Sequence, residues 1–204
     1  MTPELLLASQ SPRRREILQQ IGVNFAVLNV TVVEQRQHNE TPADYVFRLA
    51  EEKARAGSEY ALTQGVAEQR VPVLGADTVV VLDGQVLEKP ADAAAGCDML
   101  LRLSGREHQV LTAVSLCTPT RQRTLLSITD VTFRSISAAE AERYWLTGEA
   151  CDKAGGYGIQ GLGAVFVTAI RGSYSGVVGL PIEQTYQLLN DFGVPFWQES
   201  ALIG

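Results

Sequence analysis

Apolar and polar positions follow two rhythms along this chain, and the switches between them mark its elements. The run ELLLAS at 4–9 is continuously apolar and ends in small polar residues, as a buried strand does on leaving a sheet. Ser11 then takes a helix N-cap and Pro12 the first helical position, so a helix is predicted to about Gln20, closing near Gly22. VNFAVLNV at 23–30 reads as the next strand. From Thr41 the period turns helical. Thr41 caps, Pro42 opens, Asp44 sits where the helix dipole favours an acid, and apolar positions in TPADYVFRLAEEKARA recur every three or four residues.

The stretch VPVLGADTVVVLDGQVLEKP at 71–90 is rich in valine and carries Asp83-Gly84, a dipeptide suited to a tight hairpin turn. It reads as two strands, with an interruption at GADT. ADAAAGCDMLLRLSG is a third helix, ended by Gly105. Alternating stretches at 107–117 and 123–134 read as paired strands connected by TPTRQR. Ser137 and Glu140 form a capping box for a fourth helix. A glycine-rich loop, DKAGGYGIQGLG, follows, then a strand AVFVTAI, a helix from about Ile182 to Phe192, and a loose tail. Strands alternating with helices early and an antiparallel pair later define an α/β class, a mixed β-sheet covered by helices.

Length and composition narrow this further. A chain of 204 residues with no internal repeat is read as one domain, 1–204, and 46% hydrophobic against 20% charged residues suits a packed core and excludes disorder. The net charge of -6 argues against a nucleic-acid or anionic-membrane partner, since both require a diffuse excess of Lys and Arg. Cys97, Cys117 and Cys151 show no metal-binding spacing and read as buried free thiols in a reducing compartment. With no basic-then-apolar leader and no apolar run of membrane length, a cytoplasmic location is expected.

Against that acidic background, Arg13, Arg14 and Arg15 in succession stand out. A strand running into a helix N-terminus aims backbone N–H groups at an anion, and cations placed there oppose the dipole by about 0.3–1 kcal/mol each when nothing negative is bound. Arg13 and Arg14, with the hydroxyls of Ser9 and Ser11, therefore read as a phosphate cradle, whereas Arg15 faces solvent. Asp77 in GADT is an acid inside an apolar strand, costly to bury unless paired or bound to a metal. Glu34 follows a predicted strand and suits a metal ligand. Lys53 borders an apolar helical face, and Lys89 in LEKP offers a point charge to phosphate. Four glycines in DKAGGYGIQG make a binding loop, where the Gln160 amide offers the donor and acceptor that a nucleobase edge requires. His38 and His108 lack the settings of a hydrolase triad, and no P-loop or dinucleotide fingerprint is present.

LASQSPRR at 7–14, GADT at 75–78, LEKP at 87–90, DKAGGYGIQG at 152–161 and VVGLP at 177–181, in that order, resemble the Maf family of nucleoside triphosphate pyrophosphatases across almost the whole chain. The resemblance implies a Maf/ITPase-like two-lobed architecture with a central cleft, and hydrolysis of a nucleoside triphosphate between its α and β phosphates. It implies a divalent cation, Mg2+ or Mn2+, held by Glu34 and Asp77. Asp77 would activate water, Lys53, Lys89, Arg13 and Arg14 would neutralise phosphate charge, and Ser9 would complete the cradle. GADT with DKAGGYGIQG looks like the branch acting on dTTP and UTP, with Arg13, Thr78 and Gln160 at the positions tied to that choice. The family also suggests a homodimer. Gly156 and Gly176 depart from its pattern, standing where a larger residue and asparagine are frequent. The alternatives are a 7-methyl-GTP pyrophosphatase and a non-catalytic nucleotide-binding regulator of septum formation.

Overall fold

The computed structural model describes residues 2–65 and 71–198. Strand β1 (Leu5–Leu7) pairs in parallel with β2 (Phe25–Val27) on one side and with the start of β3 (Val73–Leu82) on the other. Strand β4 (Gln85–Leu87) folds back antiparallel on the end of β3 through Asp83 and Gly84, whose φ values of 51° and 75° give the left-handed pair a two-residue hairpin needs. The sheet continues antiparallel through β5 (Glu107–Thr118), β6 (Arg121–Phe133) and β7 (Val167–Arg171), seven strands in all, as the α/β class requires.

Helices cover both faces of this sheet, and β3 shows how its residues are divided between them. Its even positions Leu74, Ala76, Val80 and Leu82 enter the larger core, which also takes Ile17 and Leu18 of α1 (Pro12–Gln20), Leu100 and Leu103 of α3 (Ala93–Leu103), and Leu188 and Leu189 of α6 (Ile182–Phe192). Its odd positions Val79 and Val81 pack on Tyr45, Val46, Leu49 and Ala50 of α2 (Pro42–Gln64). A capping box of Ser137 and Glu140 starts α4 (Ala138–Trp145), and Thr41 caps α2 by accepting from the Asp44 N–H at 3.1 Å.

Several sequence expectations are corrected. No interruption occurs at GADT, and β3 runs unbroken. A Cβ on Gly75 would lie 2.4 Å from the Ala54 nitrogen and 2.5 Å from the Ala50 oxygen, so this glycine marks backbone-to-backbone approach of α2, not a break. The TPTRQR connection shrinks to Pro119 and Thr120, because the ladder persists to Thr118 opposite Arg121. Strand β2 is shorter than VNFAVLNV. The strand expected from Ala164 begins at Val167, since Leu162–Phe166 coil into a 3₁₀ turn. A short helix, α5 (Tyr174–Val178), arises where Ser173 Oγ accepts from the Gly176 N–H at 3.0 Å. The tail is pinned as far as Gln198, with Trp197 and Gln198 N–H groups donating to Ile21 and Gly22 carbonyls at 2.9 Å; its remainder, 199–204, lies outside the described residues. The three thiols are free, but Cys117 alone is buried; Cys97 is half-buried and Cys151 exposed. No helix among the described residues is long and apolar enough to cross a membrane.

Gly75→Ala must push α2 away from β3, and overpacking of this kind costs about 2 kcal/mol or more. A urea-unfolding midpoint unchanged from wild type would show that the helix yields freely.

Candidate active site

Strand β5 occupies one edge of β3 from Val73 to Val81, so β1 and β4 must share the other. Strand β1 ends opposite Leu74 and β4, antiparallel, ends opposite Val80, leaving Gly75–Val79 without a neighbour on that edge. The chain segments leaving β1 and β4 diverge there, and a cleft of about 800 Å³ opens. Sheets bind ligands where neighbouring connections part in this way. Asp77 and Thr78 lie in the middle of the gap, Ser9 just beyond β1 and Lys89 just beyond β4.

Asp77, 8% exposed, points toward α2, where Lys53 Nζ meets its Oδ1 at 2.7 Å. The same ammonium meets Glu34 Oε1 at 2.6 Å, so one cation holds two carboxylates together. Partial burial works to raise the pKa of Glu34, but the hydrogen bond and charge of Lys53, aided by Lys89 and Arg14, outweigh it and hold the carboxyl below its ordinary value. Two carboxylates converging on a positive charge fit a divalent cation that completes its shell with phosphate oxygens and water. Among the described residues no group of three or more His, Cys, Asp or Glu could form an all-protein cage.

On the opposite face of β3, Arg14 spreads its guanidinium over three acceptors: Ser9 Oγ at 3.1 Å, Thr78 Oγ1 at 3.2 Å and the Gly179 carbonyl at 2.8 Å. Thr112 Oγ1 is 2.8 Å from the Gly176 carbonyl and 3.0 Å from Thr78 Oγ1. A carbonyl only accepts, so the Thr112 proton goes to Gly176, and Thr78 donates to Thr112 while accepting from Arg14. Burial pulls the Arg14 pKa below its ordinary value and the charge of Asp77 opposes that, while a guanidinium stays a cation at neutral pH. Ser11 holds the N-cap position of α1, yet its hydroxyl makes no capping bond.

Arg13 reaches across to Asp152 at 3.7 Å, and Lys153 Nζ binds Asp152 Oδ1 and the Glu149 carbonyl at 2.7 Å each. Gln160 and Lys89 are exposed on the cleft wall. Arg15 lies outside it, its Nη2 3.5 Å from the Gln10 carbonyl. Neither histidine lines the cleft: His108 is buried against Phe133 and Tyr157, Nε2 2.8 Å from the Tyr157 hydroxyl, and burial pushes its pKa down to about 4. Ser9, Ser11, Arg13, Arg14, Glu34, Lys53, Asp77, Thr78, Lys89 and Gln160, the site residues singled out in the sequence, thus all border one cleft. Two contributors, Thr112 and Glu149, lie outside the motifs, and Gly179 lies within VVGLP but acts through its carbonyl, which no side-chain pattern marks. The glycines at 158, 161 and 163 are the one sequence signal for Glu149, since they leave room for side chains from elsewhere.

Fold and cleft define an α/β protein that gathers cations around a buried carboxylate, ready for a polyanion. Residues 4–192 match the Maf-like protein family, and the chain belongs to that family. It is 60% identical over 198 residues to the dTTP/UTP pyrophosphatase of Saccharophagus degradans, covering 97% of this chain and 93% of that one. It is 52% identical to the protein of the same name from Aliivibrio fischeri (94% and 100% covered) and 50% to that from Alkalilimnicola ehrlichii (95% of each).

Carboxyl NMR titration checks the shared ammonium. Glu34 should titrate below its ordinary value in the wild type and move upward in Lys53→Met, where burial is opposed only by the more distant charges of Lys89 and Arg14. Because the folded-state value is the lower one, the ionised carboxylate's stabilising effect is present above 4.5 and disappears as pH falls through the folded value. An unmoved midpoint would place Lys53 elsewhere in solution.

Proposed function

We propose that this protein is a nucleoside triphosphate pyrophosphatase, hydrolysing dTTP and UTP to the monophosphate and pyrophosphate in the cytoplasm. The observation that carries this reading is the placement of Asp77, buried in the unpaired stretch of β3 and held by Lys53 inside a cleft edged by Arg13, Arg14 and Lys89. The names of relatives 50–60% identical over nearly the full chain support the same reaction and the same bases.

In this reading Asp77 takes the proton of the attacking water, and its bond to Lys53 keeps the carboxylate ionised and aimed. Arg14 cannot swing away from its three acceptors, so it presents a fixed charge to the phosphates. Arg13 and Lys89, less constrained, close on the outer phosphates, where charge develops as pyrophosphate departs. Glu34 and Asp77 are the residues that would hold Mg2+ or Mn2+, and the cation, when bound, supplies neutralisation of phosphate charge beyond what side chains give. Gln160 reads the base edge. Thr78 serves that choice from beneath, through the orientation it imposes on Arg14.

Pyrophosphate release with Mg2+ across dTTP, UTP, CTP, GTP, ATP and 7-methyl-GTP tests the proposal, which expects fast release from dTTP and UTP. Silence across the panel, with Mn2+ also tried, overturns it. Asp77→Asn keeps the side-chain volume and removes the base, so turnover should fall by about 10²–10⁴ while the protein stays folded by circular dichroism. Wild-type-like turnover in that variant would remove Asp77 from the reaction.

A further inference from the structure

Seven residues, Tyr157 to Gly163, carry Gln160 past the cleft, and three of their backbone N–H groups end on one acid and its neighbouring hydroxyl. Glu149 Oε2 accepts from Leu162 N–H at 2.8 Å, and Oε1 accepts from Gly163 N–H at 3.0 Å and from the Tyr144 hydroxyl at 2.7 Å. The Tyr144 oxygen in turn accepts from Gly158 N–H at 3.0 Å. Both flanks of Gln160 are thereby tied to one pair of side chains. Between them Gly161 N–H donates to the Gly158 carbonyl at 3.3 Å, closing a tight turn with Ile159 and Gln160 at its centre.

The glycines of this segment do not make it loose. A Cβ on Gly161 would fall 2.0 Å from Glu149 Oε2, one on Gly158 2.9 Å from Oε1, and one on Gly163 2.8 Å from the Tyr144 hydroxyl. The backbone is wrapped onto the carboxylate, and side chains are missing because the acid fills their space. A carboxylate beside a polyanion would repel it; here three donors occupy both oxygens of Glu149 and offset its charge at the cleft wall.

We infer that Glu149, through Tyr144 and the backbone of Gly158, Leu162 and Gly163, is the positioning residue that sets base selectivity by fixing the turn that presents Gln160. The inference rests on the reading of Gln160 given above. An amide cannot replace the carboxylate, because its NH2 would confront one of the loop N–H donors and leave it unpaired.

The test compares kcat/KM for dTTP with that for GTP in the wild type, Glu149→Gln, Tyr144→Phe, Gln160→Ala and the Glu149→Gln/Gln160→Ala double variant. The dTTP preference should fall about tenfold or more in Glu149→Gln, with the loss for dTTP carried by KM, and in the same direction but less in Tyr144→Phe. With Gln160 already replaced, Glu149→Gln should change the ratio less than about twofold, because the two act as one unit. Should Glu149→Gln fail to fold, Tyr144→Phe, which removes a single hydroxyl, decides alone. A preference retained in the folded variants, or an undiminished second loss in the double variant, overturns the inference and leaves the pyrophosphatase reading standing. A wild type that cleaves every base alike overturns the base-reading role of Gln160, and the inference with it.

Discussion

How closely α2 can approach β3 governs the rest of the site, and that distance is set by the missing side chain of Gly75. With Ala50 and Ala54 seated on the strand's backbone, Lys53 arrives beside Asp77, which lies two residues along on the same face of β3. A lysine whose side chain is only 14% exposed is less free to choose another partner, so the geometry of helix on sheet becomes the geometry of an ion pair. Glu34, on the segment between β2 and α2, is drawn to the same ammonium, which brings a second carboxylate beside Asp77.

The cleft shows the complementary principle, that a sheet binds where its own pairing lapses. Five residues of β3 lack a neighbour along one edge, and Asp77, Thr78 and Val79 among them line the cleft. The cations there are not waiting unpaired. Lys53 rests on two carboxylates, Arg13 on Asp152, and Arg14 on three neutral oxygens, which lowers the cost of collecting positive charge in a protein whose net charge is -6. In the proposed function a polyphosphate entering the cleft would exchange partners with these pairs, finding groups already oriented and changing only their counter-ions.

Most elements were legible because local signals and tertiary packing agree. Thr41, Ser137, Asp83-Gly84 and the valine run say the same thing at both levels. The misreading at GADT has a specific cause: Gly75 looked like local punctuation, whereas it is glycine because Ala54, from another element, needs the room. The glycines after Tyr157 likewise make room for Glu149 and Tyr144, partners their loop alone does not reveal. Charged and amide residues of the cleft were visible since burying or clustering them is costly without a purpose. Thr112, which orients Thr78, and the Gly179 carbonyl, which fixes Arg14, carry no such signature, because ordinary residues become important only through where the fold places them.

The bond from Arg14 to the carbonyl of Gly179 spans 165 residues of sequence. A chain emerging from the ribosome makes α1 early, yet its guanidinium lacks its closest acceptor until α5 has been synthesised and docked. Contacts of such separation are among the last a growing chain can form. The cradle is therefore a property of the finished molecule alone, and a truncated or half-made polypeptide holds arginines that have no fixed direction in which to point.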